Sequence, residues 1–185
     1  MAISDNLTSE HEYMNRLLLM AFAFLVPATS HAFCFEDAGR DYNIDPDLLL
    51  AIAIQESKLN AHAYNGANKD GTSDSSLMQI NSANLPMLNK MGITKQRLYS
   101  QPCISVYTGG WVLAGFIKQY GYTWEAVGAY NAGSGKKRGA LRKEYSDKIR
   151  SIYTVIKMER KNHSLTSSYN TQFVTLSPMY KSKVK

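Results

Sequence analysis

The chain has 185 residues and a formal net charge of +6, enough length for one medium domain with a real core. Its apolar runs are too short for a transmembrane helix, its four histidines lack zinc-site spacing, and no base-reading or RNA-binding motif accompanies the positive charge. Stable membrane insertion, a metal centre and a nucleic-acid partner are therefore excluded, and the basic surface suits an anionic partner instead.

The first segment reads as a leader. Met14-Asn15-Arg16 is a short basic start, Leu17 to Val26 is apolar, Pro27 breaks the run, and Ser30-His31-Ala32 supplies small residues where a signal peptidase would cut after Ala32. Residues 1–13 precede the basic start, so translation begins at Met1 or at Met14. The other reading of this segment is an amphipathic or buried N-terminal helix. No lipoprotein pattern precedes Cys34, so cleavage implies a soluble exported protein beginning at Phe33. In an oxidising compartment the two cysteines, Cys34 and Cys103, would join. The bridge closes a loop of about 70 residues and is worth roughly 4 kcal/mol on the loop-entropy account; two buried free thiols are the alternative.

A short helical pattern runs through Phe35, Ala38 and Tyr42. The next element has a clear start: Asp45 caps, Pro46 suits the first helical position, and Asp47 adds negative charge at the positive end of the helix dipole. Seven apolar residues, Leu48 to Ile54, then predict a helix buried on most sides. Glu56 follows Leu49 by seven positions and Ile52 by four, so it projects from a hydrocarbon face. Burial there raises a carboxyl group toward a pKa of roughly 6. A helix-end Glu that bends into solvent or pairs with lysine is the plainer reading.

Residues 60–76 are rich in Asn, Gly, Ser and Asp, with Asp70-Gly71 as a tight-turn signal, and predict a small irregular β-hairpin. Leu77-Met78-Gln79-Ile80 is a brief apolar return in which Gln79 can face a wet groove. Helices are predicted from Leu85 to Met91, from Thr94, from Ile104 to Tyr120 and from Trp124 to Tyr130. Glycines 109, 110 and 115 suggest close approach by another helix. Asn131 to Gly135 reads as a flexible loop. The last predicted helix, Leu141 to Met158, carries Tyr145, Ile149, Ile152 and Ile156 on one face. From Lys136 onward lie 13 of the 21 Lys and Arg residues against three acids. Three parts follow: an extension with leader (1–32), a domain (33–158), and a polar basic tail read as disordered (159–185).

Gln55-Glu56-Ser57, Leu77-Met78-Gln79 and Ala129-Tyr130-Asn131-Ala132-Gly133, in this order and spacing, resemble the lytic transglycosylase domain of the soluble Slt type. The likeness covers about residues 33–155 and is greatest to small members associated with type III secretion, type IV pili and conjugation. It implies a monomeric, single-domain lysozyme-like fold, mainly α with a small β element, that binds peptidoglycan glycan strands in the periplasm without a cofactor. It also implies cleavage of the MurNAc–GlcNAc bond to leave 1,6-anhydro ends, with secretion or pilus proteins as partners.

Carried over by residue, the resemblance makes Glu56 the general acid and then base, and has Tyr130 hydrogen-bond its carboxylate. Ser57, Met78, Gln79, Asn131 and Ala132 would line the substrate site. Core packing beside Trp124 is the other role open to Tyr130. One Glu suffices because the muramic N-acetyl group replaces the second carboxylate of an ordinary glycosidase. Two departures stand out. Ser76 replaces the usual Gly before Leu-Met-Gln, where Gly permits backbone that Ser resists. Asp74 could be a second acid, or a loop Asp in an Asx turn. The alternatives to a lyase are a non-enzymatic peptidoglycan-binding scaffold of such an apparatus and a lysozyme-like hydrolase using Asp74.

Overall fold

The computed structural model describes residues 33–66 and 68–181, with side chains as far as Ser164. The leader and its cleavage site lie outside the described residues. From Phe33 on, the chain is mainly helical with one small sheet, in a lysozyme-like arrangement. The order is α1 (Phe35–Tyr42), α2 (Pro46–Ser57), β1 (Tyr64–Asn65), β2 (Asp74–Ser75), β3 (Ile80–Asn81), α3 (Leu85–Lys90), α4 (Lys95–Ser100), α5 (Pro102–Tyr120), α6 (Trp124–Ala132) and α7 (Gly139–Lys181).

The core is built around α2. Asp45 caps it by accepting a 2.8 Å hydrogen bond from the Asp47 N–H, and Lys58 ends it in a left-handed turn with its N–H on the Ile54 carbonyl. Leu49, Ala51, Ile52 and Ala53 are fully enclosed, which removes most of their apolar surface from water. Helices α1, α5 and α7 pack around it, contributing Ala38, Val106, Leu113 and Ile149 to the same core. Cys34 and Cys103 form a disulfide with a Cα separation of 5.3 Å, tying the start of α1 to α5.

Two of the three α5 glycines serve close approach. A Cβ on Gly109 would stand 2.6 Å from the Met78 side chain, and one on Gly110 would stand 2.8 Å from the Tyr42 ring. Gly115 does not belong with them, because nothing lies within 4 Å of where its Cβ would be. The β element is a three-stranded antiparallel sheet in the order β1-β2-β3, one strand more than the predicted hairpin. Its register pairs Asn65 with Asp74 and Asp74 with Asn81, which brings the polar side chains of these positions together beside the end of α2.

The tail from residue 159 is read from sequence as disordered, yet α7 continues without interruption to Lys181. Its early part is anchored: Lys157 and Arg160 pair with Asp47, and Arg160 also reaches Glu36. These contacts join α7 to the N-terminal ends of α1 and α2, beyond the apolar stripe that periodicity detects.

Candidate functional site

Glu56 leaves the last turn of α2 and enters a cavity of about 540 Å³. The β-sheet residues Asp74, Ile80 and Asn81 line it, as do Val112 and Phe116 of α5, Tyr130 and Asn131 of α6, and Arg138. The carboxyl accepts a hydrogen bond from the Tyr145 phenol. Burial pushes its pKa up, the Tyr145 bond pulls it down, and the nearby negative charge of Asp74 raises it again, to a net value of about 7. Desolvation therefore outweighs the hydrogen bond that favours the ionised form. Near neutral pH the group is divided between a neutral acid, which donates and accepts hydrogen bonds, and an anion, which only accepts.

The other residues singled out from sequence fall into two groups. Facing the cavity are Gln79, Tyr130, Asn131 and Asp74. Asp74 is held on both oxygens: Asn68 donates to Oδ2 at 2.8 Å and Asn81 to Oδ1 at 2.9 Å, with Asn65 also donating to Oδ2. It is the hub of an amide network rather than a free second acid. The second group supports the wall. Ser57 Oγ lies 2.7 Å from the Leu77 carbonyl and 3.1 Å from that of Ala53, so it couples α2 to the following loop. Met78 is fully buried. Ala132 is buried, and its carbonyl accepts a 2.9 Å hydrogen bond from Arg138.

Two hydrogen bonds differ from those that the resemblance implies. Tyr130 does not donate to Glu56; its phenol donates to the Met78 carbonyl at 2.9 Å. Tyr145 of α7 takes that place, a residue that the sequence reading assigns to the apolar face of its helix. A phenol on a stripe otherwise made of isoleucines was the available signal, since a buried tyrosine hydroxyl requires a partner. Gln79 turns its amide to the backbone carbonyls of Ala63 and Ser76, at 3.1 and 2.9 Å. Both Gln79 and Ser76 have left-handed backbone, with φ of +46° and +68°, a region that non-glycine residues enter at a cost. At Ser76 a compensating contact is visible: its hydroxyl lies 2.7 Å from that of Ser105, which also accepts from the Met78 N–H.

The loop after α6, read as flexible, is held from α7. Arg142 donates to the carbonyls of Gly133 and Gly135 at 3.1 and 3.0 Å. Among the described residues, no group of three or more His, Cys, Asp or Glu side chains is placed to hold a metal ion.

A small helical domain with an enclosed carboxyl group at the mouth of a polar groove defines a lysozyme-like protein. Within that class, residues 33–153 match the transglycosylase SLT domain, and the chain belongs to this family. It is 43% identical to the invasion protein IagB of Salmonella typhimurium strain SL1344, over 85% of this chain and 99% of that one. It is 39% identical to the protein IpgF of Shigella flexneri, over 82% of this chain and 98% of that one. An X polypeptide of Escherichia coli is 41% identical over 80% and 87%. Among solved structures, the lytic transglycosylase Slt of Pseudomonas aeruginosa, an inactive mutant, superimposes with a TM-score of 0.58 at 19% identity. The match covers 72% of this chain and 25% of that one.

These matches correct the expectation of an active lyase cutting the MurNAc–GlcNAc bond. Kinship over 80–85% of the chain runs to IagB, IpgF and X polypeptide, of which IagB is named as an invasion protein. The likeness to Slt spans a quarter of that chain at 19% identity and shows the fold alone. Fold does not carry activity. The transglycosylase and lyase assignments fall with this correction.

Proposed function

We propose that this protein is a non-enzymatic, peptidoglycan-binding component of an invasion or secretion apparatus, holding glycan strands in the periplasm. The observation that carries this reading is the groove at Glu56. Its wall is dense in short polar side chains (Asn68, Asp74, Asn81, Asn84 and Asn131), which match the hydroxyl and N-acetyl groups of amino sugars. Glu56 adds a carboxyl group that near neutral pH can donate as well as accept. Tyr130 and Gln79 spend their hydrogen bonds on backbone carbonyls, so they shape the groove rather than serve a reacting carboxylate.

The apparatus is suggested by IagB, which is named as an invasion protein. An exported, periplasmic location is supported by the leader pattern before Phe33 and by the Cys34–Cys103 disulfide. Secretion, pilus or conjugation proteins would then be the partners, with the basic end of the chain available to acidic surfaces.

The test uses purified protein from Phe33 onward, wild type and Glu56→Gln, incubated with cell-wall sacculi. Both should sediment with the sacculi, and neither should reduce turbidity or release anhydro or reducing ends detectable by mass spectrometry. Clearing by the wild type that Glu56→Gln lacks would overturn the non-enzymatic reading. Failure of both proteins to sediment would remove the glycan.

A further inference from the structure

A second trough adjoins the Glu56 groove at Phe116. Asn84, Val112 and Phe116 border both, and the trough, of about 440 Å³, lies on the outer side of α5. The new trough is more apolar, because its other walls are Trp111, Ala114, Gly115, Lys118 and a single amide, Gln119. Trp111, Gly115 and Lys118 follow one another at i, i+4 and i+7 and so share one face of the helix.

Gly115 is the informative residue. A glycine inside a helix destabilises it relative to alanine. Gly109 and Gly110 offset that loss by letting Met78 and Tyr42 pack against bare backbone. Gly115 is exposed, and among the described residues nothing lies within 4 Å of where its Cβ would be, so no packing partner among them accounts for the missing side chain. Beside it stands a half-buried indole. One turn further, Lys118 is exposed and enters no ion pair among the described residues.

We infer that this trough receives the peptide that branches from the muramic acid units of a strand lying in the Glu56 groove; the inference rests on the glycan-binding reading above. A stem peptide leaves the sugar sideways through its lactyl group, so a groove with a trough alongside it suits a branched ligand. Such peptides present alanine methyl groups and free carboxylates. The methyls would lie against Trp111 and Ala114, the peptide backbone would cross at Gly115, and Lys118 would meet a carboxylate. A further sugar in line would instead call for the dense amide lining of the main groove.

The experiment compares two soluble probes by calorimetry: glycan fragments that retain their stem peptides, and the same fragments stripped by an amidase. Two variants accompany the wild type. Gly115→Leu fills the trough with a good helix former that has open space, and Lys118→Glu reverses the charge; an unchanged circular dichroism spectrum and melting no lower than that of the wild type confirm the fold. The wild type should bind the peptide-bearing probe about tenfold more tightly than the stripped one. Each variant should lose that preference while binding the stripped probe as before. Equal wild-type affinity for both probes, or variants that weaken both equally, would overturn the inference and leave the glycan reading standing. Binding of neither probe would overturn both.

Discussion

A carboxyl group enclosed as Glu56 is costs stability whenever it ionises. Its pKa rises from the usual 4.5 to about 7, because burial disfavours the charge more than the Tyr145 phenol favours it. The unfolded chain releases this proton near 4.5 and the folded chain near 7, so between those values the folded state holds more protons. Stability must then fall as pH climbs through that window, and the loss is complete above it. The difference of 2.5 units corresponds to about 3 kcal/mol at 1.36 kcal/mol per unit. Glu56→Gln retains an oxygen to accept from Tyr145 and cannot ionise. The variant should match the wild type in denaturant titrations at pH 4 and exceed it by about 3 kcal/mol at pH 8. A constant difference across that range, or none, would show that Glu56 is solvated like an ordinary side chain.

At the level of elements, the site is set by how closely three helices approach. Helix α6 carries Tyr130 and Asn131 to the groove, α7 carries Tyr145, and the two meet at Gly128. A Cβ there would stand 2.3 Å from the backbone oxygen of Arg142, an atom that cannot swing aside. Gly128→Ala should therefore destabilise the protein by about 1–3 kcal/mol or more and loosen the contact between Tyr145 and Glu56. Gly115→Ala, with open space at its Cβ, should stabilise by about 0.5–1 kcal/mol. Chemical denaturation of the two variants against the wild type decides both. These glycines also mark how far sequence reaches. Helix α2, its cap and the exposure of Glu56 to an otherwise apolar face were legible, because capping chemistry and periodicity are local. The glycines of α5 look alike in sequence, yet only the fold separates Gly109 and Gly110 from Gly115. Likewise, nothing local told that the Tyr130 phenol would turn to Met78 and leave Glu56 to a tyrosine 89 positions away.

Across the whole described chain, distant segments converge on the N-terminal end of α2. The Asp45 carboxylate accepts from the Tyr153 phenol and pairs with Lys157. Burial alone would raise its pKa, but hydrogen bonds from Tyr153, the Asp47 N–H and Lys157 hold it below the usual value. Next to it the Asp47 side chain is only 4% exposed and pairs with both Lys157 and Arg160. Two cations from α7 thus neutralise a carboxylate that has lost its water, and so fix the helix bearing Tyr145 against the helix bearing Glu56. Exposed ion pairs contribute little, whereas removing the partners of an enclosed charge leaves it uncompensated, at a cost of about 3–5 kcal/mol. Lys157 and Arg160 are themselves about half exposed, which places the expected effect at the lower end. The double variant Lys157→Ala, Arg160→Ala should therefore lose about 3 kcal/mol at neutral pH. Adding Asp47→Asn, which removes the stranded charge, should recover most of that loss. If the triple variant is no more stable than the double, the two cations act by packing their hydrocarbon stems and the electrostatic account fails.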